Sequence, residues 1–356
     1  MHSSGERDRA GVMRSLFLSL GPGSALPWWW EQVKADPDLC DLDYARITVR
    51  NKRPKQISTL DLPWLFLKVL FVLLRSRSTH AYIFTVENDF NSFAVAFWQT
   101  VLFLRRPKHV ILTFIMREKT RAISSRLKFL LMRFLFSSVH KVICASRKEV
   151  DYYTDVFHWP AGKVSFVPLL VSTEQFQRRT EDSEGFIFSG GRVYRDYDTL
   201  IRALDGKHYR AIIVAEGDLP AATDHPYIET MYRIPLDDFD SLVARSRIVV
   251  LPLEDKPFSI GQTVLLQAMA MGKPVVATRT AGTIDYIEHL ETGILVEPHD
   301  PAALGEAIDL LMRDDGLRAK LATNAKDTLR RQNLPHQYTS AVRNLLLDAS
   351  RSSRRA

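Results

Sequence analysis

The stretch SIGQTVLLQAMAMGKPVVATRTAG, Ser259 to Gly282, holds a complete helix-to-strand unit in two dozen residues. From Thr263 to Met271 the Leu, Ala, Met and Gln residues favour a helix, and only Val264 is a weak former. Gly272 is placed to take the left-handed position that ends the helix, and Pro274 bars its continuation. VVAT then reads as a buried strand. At the front end, Gly261 allows a ligand to approach the backbone, and the first N–H groups of the helix are unpaired donors at the positive end of its dipole. Such a mouth suits an anion, a phosphate above all; a plain αβ unit with a glycine turn is the other reading.

The same alternation runs outward in both directions. RSLFLSL, ARITVR, AYIFTV, HVILTFI and KVICAS are short β-rich runs separated by amphipathic stretches of helix length. Further on come GFIFSG before DYDTLIRAL, AIIVAEG, DDFDSLVARS before RIVVLPL, and IDYIEHL before GILVEP. Near-continuous apolar strands joined by helices mean parallel sheets covered on both faces. A chain of 356 residues exceeds one ordinary core. The expected class is α/β, with two doubly wound Rossmann-like domains facing each other across a cleft that is the default ligand site. The first domain is expected over 14–168, a polar linker over 169–185 and the second domain over 186–335. A C-terminal helix over 336–350 is expected to pack back on the first.

Two cysteines, Cys40 and Cys144, in no CxxC arrangement suit a reducing cytoplasm rather than a disulfide scaffold. The opening MHSSGERDRAGVM is polar and is not read as a signal peptide. LPWLFLKVLFVLL and SFAVAFWQTVLFL are the longest apolar runs, and each falls short of the roughly 20 residues of a membrane-spanning helix. Charge is uneven. Residues 1–168 carry 25 Lys+Arg against 14 Asp+Glu, a net of +11, which leaves −4 of the chain's +7 for the remainder. Between Arg105 and Lys141 stand ten basic residues and one acid, Glu118. Within that segment SSRLKFLLMRFLFSSVHK interleaves Arg126, Lys128 and Arg133 with Leu, Phe and Met at helical spacing. That pattern fits an anionic membrane surface, or an ordinary core helix with solvated charges. No zinc-finger, helix-turn-helix or RNP-like pattern accompanies the charge, so nucleic acid is not an expected partner.

A second phosphate-ready loop lies in FIFSGGRVYRDYDTLIRAL. Gly190 and Gly191 follow a strand directly, and Arg192 and Arg195 stand just before a helix. Two arginines there would neutralise a diphosphate through charge-assisted bonds worth roughly 1.5–3 kcal/mol each. Solvated loop charges, or pairing of Arg195 with Asp196 or Asp198, are the plainer readings. Two such loops in one domain point to a nucleotide diphosphate. The incomplete glycine motif GPGSAL, with Gly21 and Gly23, follows the first strand and is either a turn or an acceptor-side element. Pro27–Trp30, an aromatic run, reads as core packing, or as a surface for sugar or lipid. Asp-Leu-Asp at 41–43 and Asp-Tyr-Asp at 196–198 match a metal-binding tripeptide that chance also supplies, and the histidines form no zinc pattern. No metal and no cofactor are expected.

From about Val142 to Met312 the chain resembles the retaining glycosyltransferases of the group 1 type (family 4), whose fold is GT-B. The resemblance is carried by KVICASRKEVDYYTDVFHWPAGKVSFVPLLVSTEQF, by SGGRVYRDYDTLIRAL, by SLVARSRIVVLPL and by GQTVLLQAMAMGKPVVATRTAGTIDYIEHLETGILVEPHDPAALGEAI. Ala-Met-Ala-x-Gly-x-Pro-Val-Val and Thr-Gly-x-Leu-Val-x-Pro are its most specific parts. It implies that Arg192 and Arg195 bind the diphosphate of a nucleotide sugar and serve catalysis. Gly190, Gly191, Ser259, Gly261, Gln262, Thr263 and Gln267 would complete the donor site. The family's paired glutamates, eight residues apart, fall on Ser259 and Gln267, so this chain is a divergent member without either carboxylate. The family's first-domain histidine is also missing, since Met116, Arg117 and Glu118 follow HVILTFI. The implied function is metal-independent transfer of a sugar, with retention, from a nucleotide-diphosphate sugar to a glycan or lipid-linked acceptor. The enzyme would work in the cytoplasm, peripherally on the inner membrane face. A catalytically silent protein of the same fold, binding a nucleotide sugar or scaffolding a glycan-assembly complex, is the alternative. An enzyme of the same fold acting on another nucleotide-linked substrate is a third reading.

Overall fold

In the computed structural model of the chain the described residues are 14–20, 42–47, 62–87, 89–177, 184–217, 219 and 225–352. Gly21, Gly23, Pro27–Trp30, Cys40, Asp41 and part of the expected linker lie outside them. Among the described residues twelve strands form two six-stranded sheets, in the orders β2-β1-β3-β4-β5-β6 and β12-β11-β10-β7-β8-β9. The first sheet holds β1 (Ser15–Leu20), β2 (Leu42–Ile47), β3 (Tyr82–Val86), β4 (Lys108–Leu112), β5 (Lys141–Cys144) and β6 (Val164–Phe166). The second holds β7 (Ile187–Gly191), β8 (Ala211–Ala215), β9 (Ile228–Tyr232), β10 (Ile248–Leu251), β11 (Val275–Thr278) and β12 (Ile294–Val296). The recorded strand pairs are parallel, as the apolar runs require.

Helices join the strands: α1 (Leu62–Ser76), α2 (Phe90–Val101), α3 (Ile123–Leu135), α4 (Arg147–Phe157), α5 (Thr173–Gln177) and α6 (Tyr197–Leu204). There follow α7 (Leu236–Arg245), α8 (Gln262–Ala270), α9 (Pro301–Arg313), α10 (Asp315–Gln332) and α11 (Pro335–Ser352). No helix among the described residues is long and apolar enough to cross a membrane.

The chain divides into two compact units. One contains the residues up to Cys144, with Tyr153–Ser165 and the residues from Thr339; the other contains Ala145–Tyr152 and Phe166–Tyr338. The division therefore cuts through α4, whose first turns belong to the second unit. In the first unit, Leu16, Leu18 and Ile83 of the sheet meet Leu65, Val69 and Leu73 of α1 and Ala94 and Val95 of α2. In the second, Ile187, Ile213, Val250 and Val276 meet Leu200 and Leu204 of α6 and Leu304, Ile308 and Leu311 of α9.

The opening stretch folds as read, shifted by one residue. α8 spans Gln262–Ala270, and Gly272 has φ of 69°. Gly272 N donates to the Met269 carbonyl at 3.0 Å and Lys273 N to the Ala268 carbonyl at 2.9 Å, a Schellman ending. Two strands come unannounced and one expectation is corrected. Val164–Phe166 and Ile228–Tyr232 are strands that the apolar runs do not announce; β9 is a sheet edge with polar Glu229 and Thr230. IDYIEHL forms turns rather than a helix. Its side chains are held on several sides at once: Asp285 by Arg147 at 2.6 Å, and the Tyr286 hydroxyl by Leu169 N at 3.0 Å.

Candidate functional site

In the second sheet the chain leaves β7 towards β8 on one side and later lays β10 on the other. The loops after β7 and β10 diverge at this reversal, and open α/β sheets take ligands in the crevice formed there. A concavity of about 520 Å³ lies at these carboxyl ends. Gly191, Arg192 and Arg195 line it after β7, Glu216 and Gly217 after β8, Glu254 to Lys256 after β10 and His299 after β12.

The glycine pair is needed for two different reasons. A Cβ on Gly190 would stand 2.6 Å from the Phe239 ring of α7, so that glycine lets the helix close on the strand. Gly191 has φ of 144°, and the Arg195 guanidinium lies where its Cβ would be. Arg195 donates from Nε to the Gly190 carbonyl and from Nη1 to the Val193 carbonyl, both at 3.1 Å. Burial lowers its pKa from the ordinary value. The loop is further fixed by Asp196 N donating to the Pro252 carbonyl at 3.1 Å and Glu254 N to the Tyr194 carbonyl at 3.2 Å. Tyr197 donates its hydroxyl to the Val214 carbonyl at 3.1 Å, and burial pushes its pKa up to about 12. Arg195 thus spends two of its donors on shaping the loop. Arg192 is exposed, with Nε 3.8 Å from a Glu216 carboxylate oxygen, and it presents its charge to the concavity.

The two aspartates of Asp-Tyr-Asp are engaged locally. Asp196 caps α6, accepting from Thr199 N at 3.1 Å and Thr199 Oγ1 at 2.7 Å, and it also meets His299 Nδ1 at 2.7 Å. Burial acts to raise its pKa, and these hydrogen bonds outweigh it, leaving the carboxyl below its ordinary value. Asp198 pairs with Arg202 at 2.7 Å.

The mouth of α8 differs from its sequence reading. Gly261 has φ of 80°, and a Cβ there would lie 2.9 Å from the Leu253 methyl carbons. That glycine serves a left-handed turn packed on Leu253, and its side-chain direction is closed to a ligand. Ser259, Gln262 and Gln267 are each only 4% exposed, whereas Thr263 is exposed. Gln262 donates from Nε2 to the Ala145 carbonyl at 3.0 Å, so it is committed within the protein. The first-turn N–H groups of α8 remain at the helix end, where Gly261 already gives its carbonyl to Leu265 N at 3.1 Å.

At each of the two positions expected to lack a carboxylate, another element supplies one. Ser259 donates from N at 2.8 Å and from Oγ at 2.7 Å to Glu149 of α4, which also accepts from Ala145 N at 3.2 Å. Glu149 is fully buried, and desolvation raises its pKa despite these bonds. Gln267 donates from Nε2 to Asp240 of α7. Sequence reasoning missed both acids. Ser146-x-x-Glu149 is a capping-box signature, and Glu149 N does donate to Ser146 Oγ at 3.2 Å. The carboxylate, however, turns to Ala145 and Ser259. Asp240 follows Asp237 and Asp238, which are exposed, and local pattern does not set it apart.

Comparison with known proteins fits this geometry. Residues 228–328 match the family described as glycosyl transferases group 1. An uncharacterized glycosyltransferase of Methanocaldococcus jannaschii is 26% identical over 219 residues, covering 52% of this chain and 54% of that protein. A glycosyltransferase from Rickettsia africae has a TM-score of 0.69 at 15% identity, covering 95% of this chain and 98% of that one. The fold is GT-B. Anabaena Alr3699/HepE, solved in complex with UDP and glucose, has a TM-score of 0.64 at 17% identity, covering 94% of this chain and 100% of its own. The chain spans about half the length of the first of these relatives, and far less of other curated ones. The family match thus covers residues 228–328, and the structural likenesses extend the shared GT-B fold over nearly the whole chain.

Proposed function

We propose that the chain transfers a sugar from a nucleotide-diphosphate sugar to a glycan or lipid-linked acceptor with retention of configuration, without a metal, at the cytoplasmic face of a membrane. One observation carries the reading: Arg192 and the Arg195-braced glycine loop line a concavity at the strand reversal of the second unit. A structural neighbour that binds UDP and glucose supports a nucleotide sugar as donor. In the reaction the bond from the anomeric carbon to the diphosphate oxygen breaks and the acceptor oxygen bonds to that carbon. The acceptor proton passes to the leaving diphosphate. The protein's part is electrostatic. Arg192 meets charge growing on the leaving oxygen, and Arg195 holds Gly190 and Gly191 in shape beneath it. The N-terminal end of α8, including exposed Thr263, adds donors of the same sign. Gln267, its amide oriented by Asp240, is assigned to the donor's ribose and Ser259 to the sugar side, with buried Glu149 positioning Ser259 from behind.

The test is a thermal-shift panel of UDP-, GDP-, ADP- and TDP-sugars, followed by donor hydrolysis with the best ligand. Arg192→Ala should cut turnover by about 10²–10³-fold while the melting temperature holds; near-normal turnover would refute the assignment. A silent donor-binding protein is the second reading. It is favoured by the internal commitments of Ser259, Gln262 and Gln267. A donor-induced shift without hydrolysis or transfer would establish it.

A further inference from the structure

The first unit carries an outward apolar surface that the chemistry above leaves unused. On α3, Ile123, Leu127, Leu130, Leu131 and Phe134 are exposed and recur at i, i+4, i+7, i+8 and i+11, a single stripe. The helix packs by the opposite side, through buried Phe129 and Leu135 and half-buried Ser125 and Met132. Around the helix Arg126 and Arg133 flank the exposed stripe on one edge and Lys128 on the other. The pattern is therefore doubly amphipathic, and its second apolar face meets solvent.

Two neighbours extend that face. Thr100 Oγ1 of α2 donates to the Leu135 carbonyl at 2.8 Å, which sets the end of α2 beside α3. At that end Val101, and just beyond it Leu102 and Phe103, are exposed, Phe103 by 87%, and Arg105 and Arg106 follow after Leu104. On the other side of α2, Trp98 Nε1 donates to the Phe66 carbonyl of α1 at 2.8 Å. There α1 buries Leu65, Val69 and Leu73 and exposes Trp64, Leu67, Phe71 and Leu74. Three adjoining helices thus turn large apolar side chains outward, with basic residues set among them.

We propose that this face of α1, α2 and α3 docks on an anionic lipid bilayer, its apolar side chains entering the acyl boundary and its Lys and Arg residues meeting lipid phosphates. Charge selects the occupant. Ten basic residues against one acid between Arg105 and Lys141 would repel a second copy of the same face. Apolar area flanked by cations is what an anionic interface rewards, since long basic side chains reach the headgroups while their stems and neighbours leave water. The proposal deepens the membrane part of the functional reading and is independent of its chemistry.

Vesicle flotation of the whole chain tests it, with phosphatidylcholine alone and with added phosphatidylglycerol, at low and high salt. The chain should float with the anionic vesicles and less so at high salt. Leu127→Ser, Leu130→Ser and Phe134→Ser combined should lower the bound fraction tenfold or more. Arg126→Glu with Arg133→Glu should weaken binding by about fivefold or more for each residue changed. These residues lie on the surface, and both variants should keep the wild-type donor-induced thermal shift, which separates this test from that of the donor site. Absence of flotation, equal binding to neutral vesicles, or a serine variant that floats like the wild type would overturn the proposal. So would a wild-type dimer that the serine changes dissociate, because a second copy would then cover the face.

Discussion

Asp89 shows how one carboxyl couples stability to pH. It caps α2, accepting from Ser92 N at 2.8 Å and from Asn91 Nδ2 at 3.2 Å. Burial nevertheless dominates and lifts its pKa from 3.8 to about 6, against the lowering effect of these bonds. A folded-state value above the unfolded one means that the folded chain holds the proton more tightly. This contribution to stability is full below 3.8 and is lost as pH rises through about 6. Asn is as good a cap as Asp. Asp89→Asn should therefore match the wild type in acid and become relatively more stable above the folded pKa, measured as urea midpoints across that window. A constant difference at every pH would assign the shift elsewhere. Single residues of this kind were the least legible part of the sequence. Ser259 and Gln267 could be marked as neutral where a carboxylate was expected, but Glu149 lies 110 positions before Ser259 and only the fold joins them. Arg195 was found by its loop, yet its bonds to Gly190 and Val193 depend on a backbone shape that residue types alone do not define.

Elements were read more securely, because their signals are local. The end of α8 is one case, with apolar helix formers, then Gly272, then Pro274. Only the left-handed φ of 69° demands glycine there, since the nearest atom to an added Cβ is Lys326 Cδ at 4.0 Å. Gly272→Ala should accordingly cost about 1 kcal/mol, the conformational penalty alone. Denaturant unfolding checks this, and a loss several times larger would mean that packing as well as φ is at stake. Gly190 is the opposite case, where an added methyl group meets the Phe239 and Phe188 rings. The failures at this scale have the same physical origin. IDYIEHL has helical spacing, but Asp285 and Tyr286 are drawn to Arg147, Ala145 and Leu169, and those tertiary bonds outcompete a short helix. Three-residue β6 and polar-edged β9 offer too little apolar pattern to be seen.

At the scale of the molecule, strand-helix alternation was enough to announce two parallel sheets, but the limits of the two units were not legible. Polarity marks 169–185 as a boundary, yet the second unit also recruits Ala145–Tyr152 from before it. These residues satisfy buried groups of the second unit: Glu149 receives Ser259, and the Ala145 carbonyl receives Gln262 Nε2 at 3.0 Å and the Tyr286 hydroxyl at 2.8 Å. A fragment cut at the polarity boundary, residues 186–335, would leave all of these donors without partners. Each buried polar group so orphaned costs about 1–3 kcal/mol, and a domain's whole stability is of the order of 5–15 kcal/mol. The fragment should therefore unfold without a cooperative transition, whereas the whole chain unfolds cooperatively in urea. Within the whole chain, Glu149→Ala should lower stability by about 1–3 kcal/mol or more, and Glu149→Gln, which keeps one acceptor, by less. If fragment 186–335 unfolds cooperatively at the whole-chain midpoint, the 145–152 segment is dispensable for the second unit's stability, and its bonds to Ser259, Gln262 and Tyr286 would then serve the site alone.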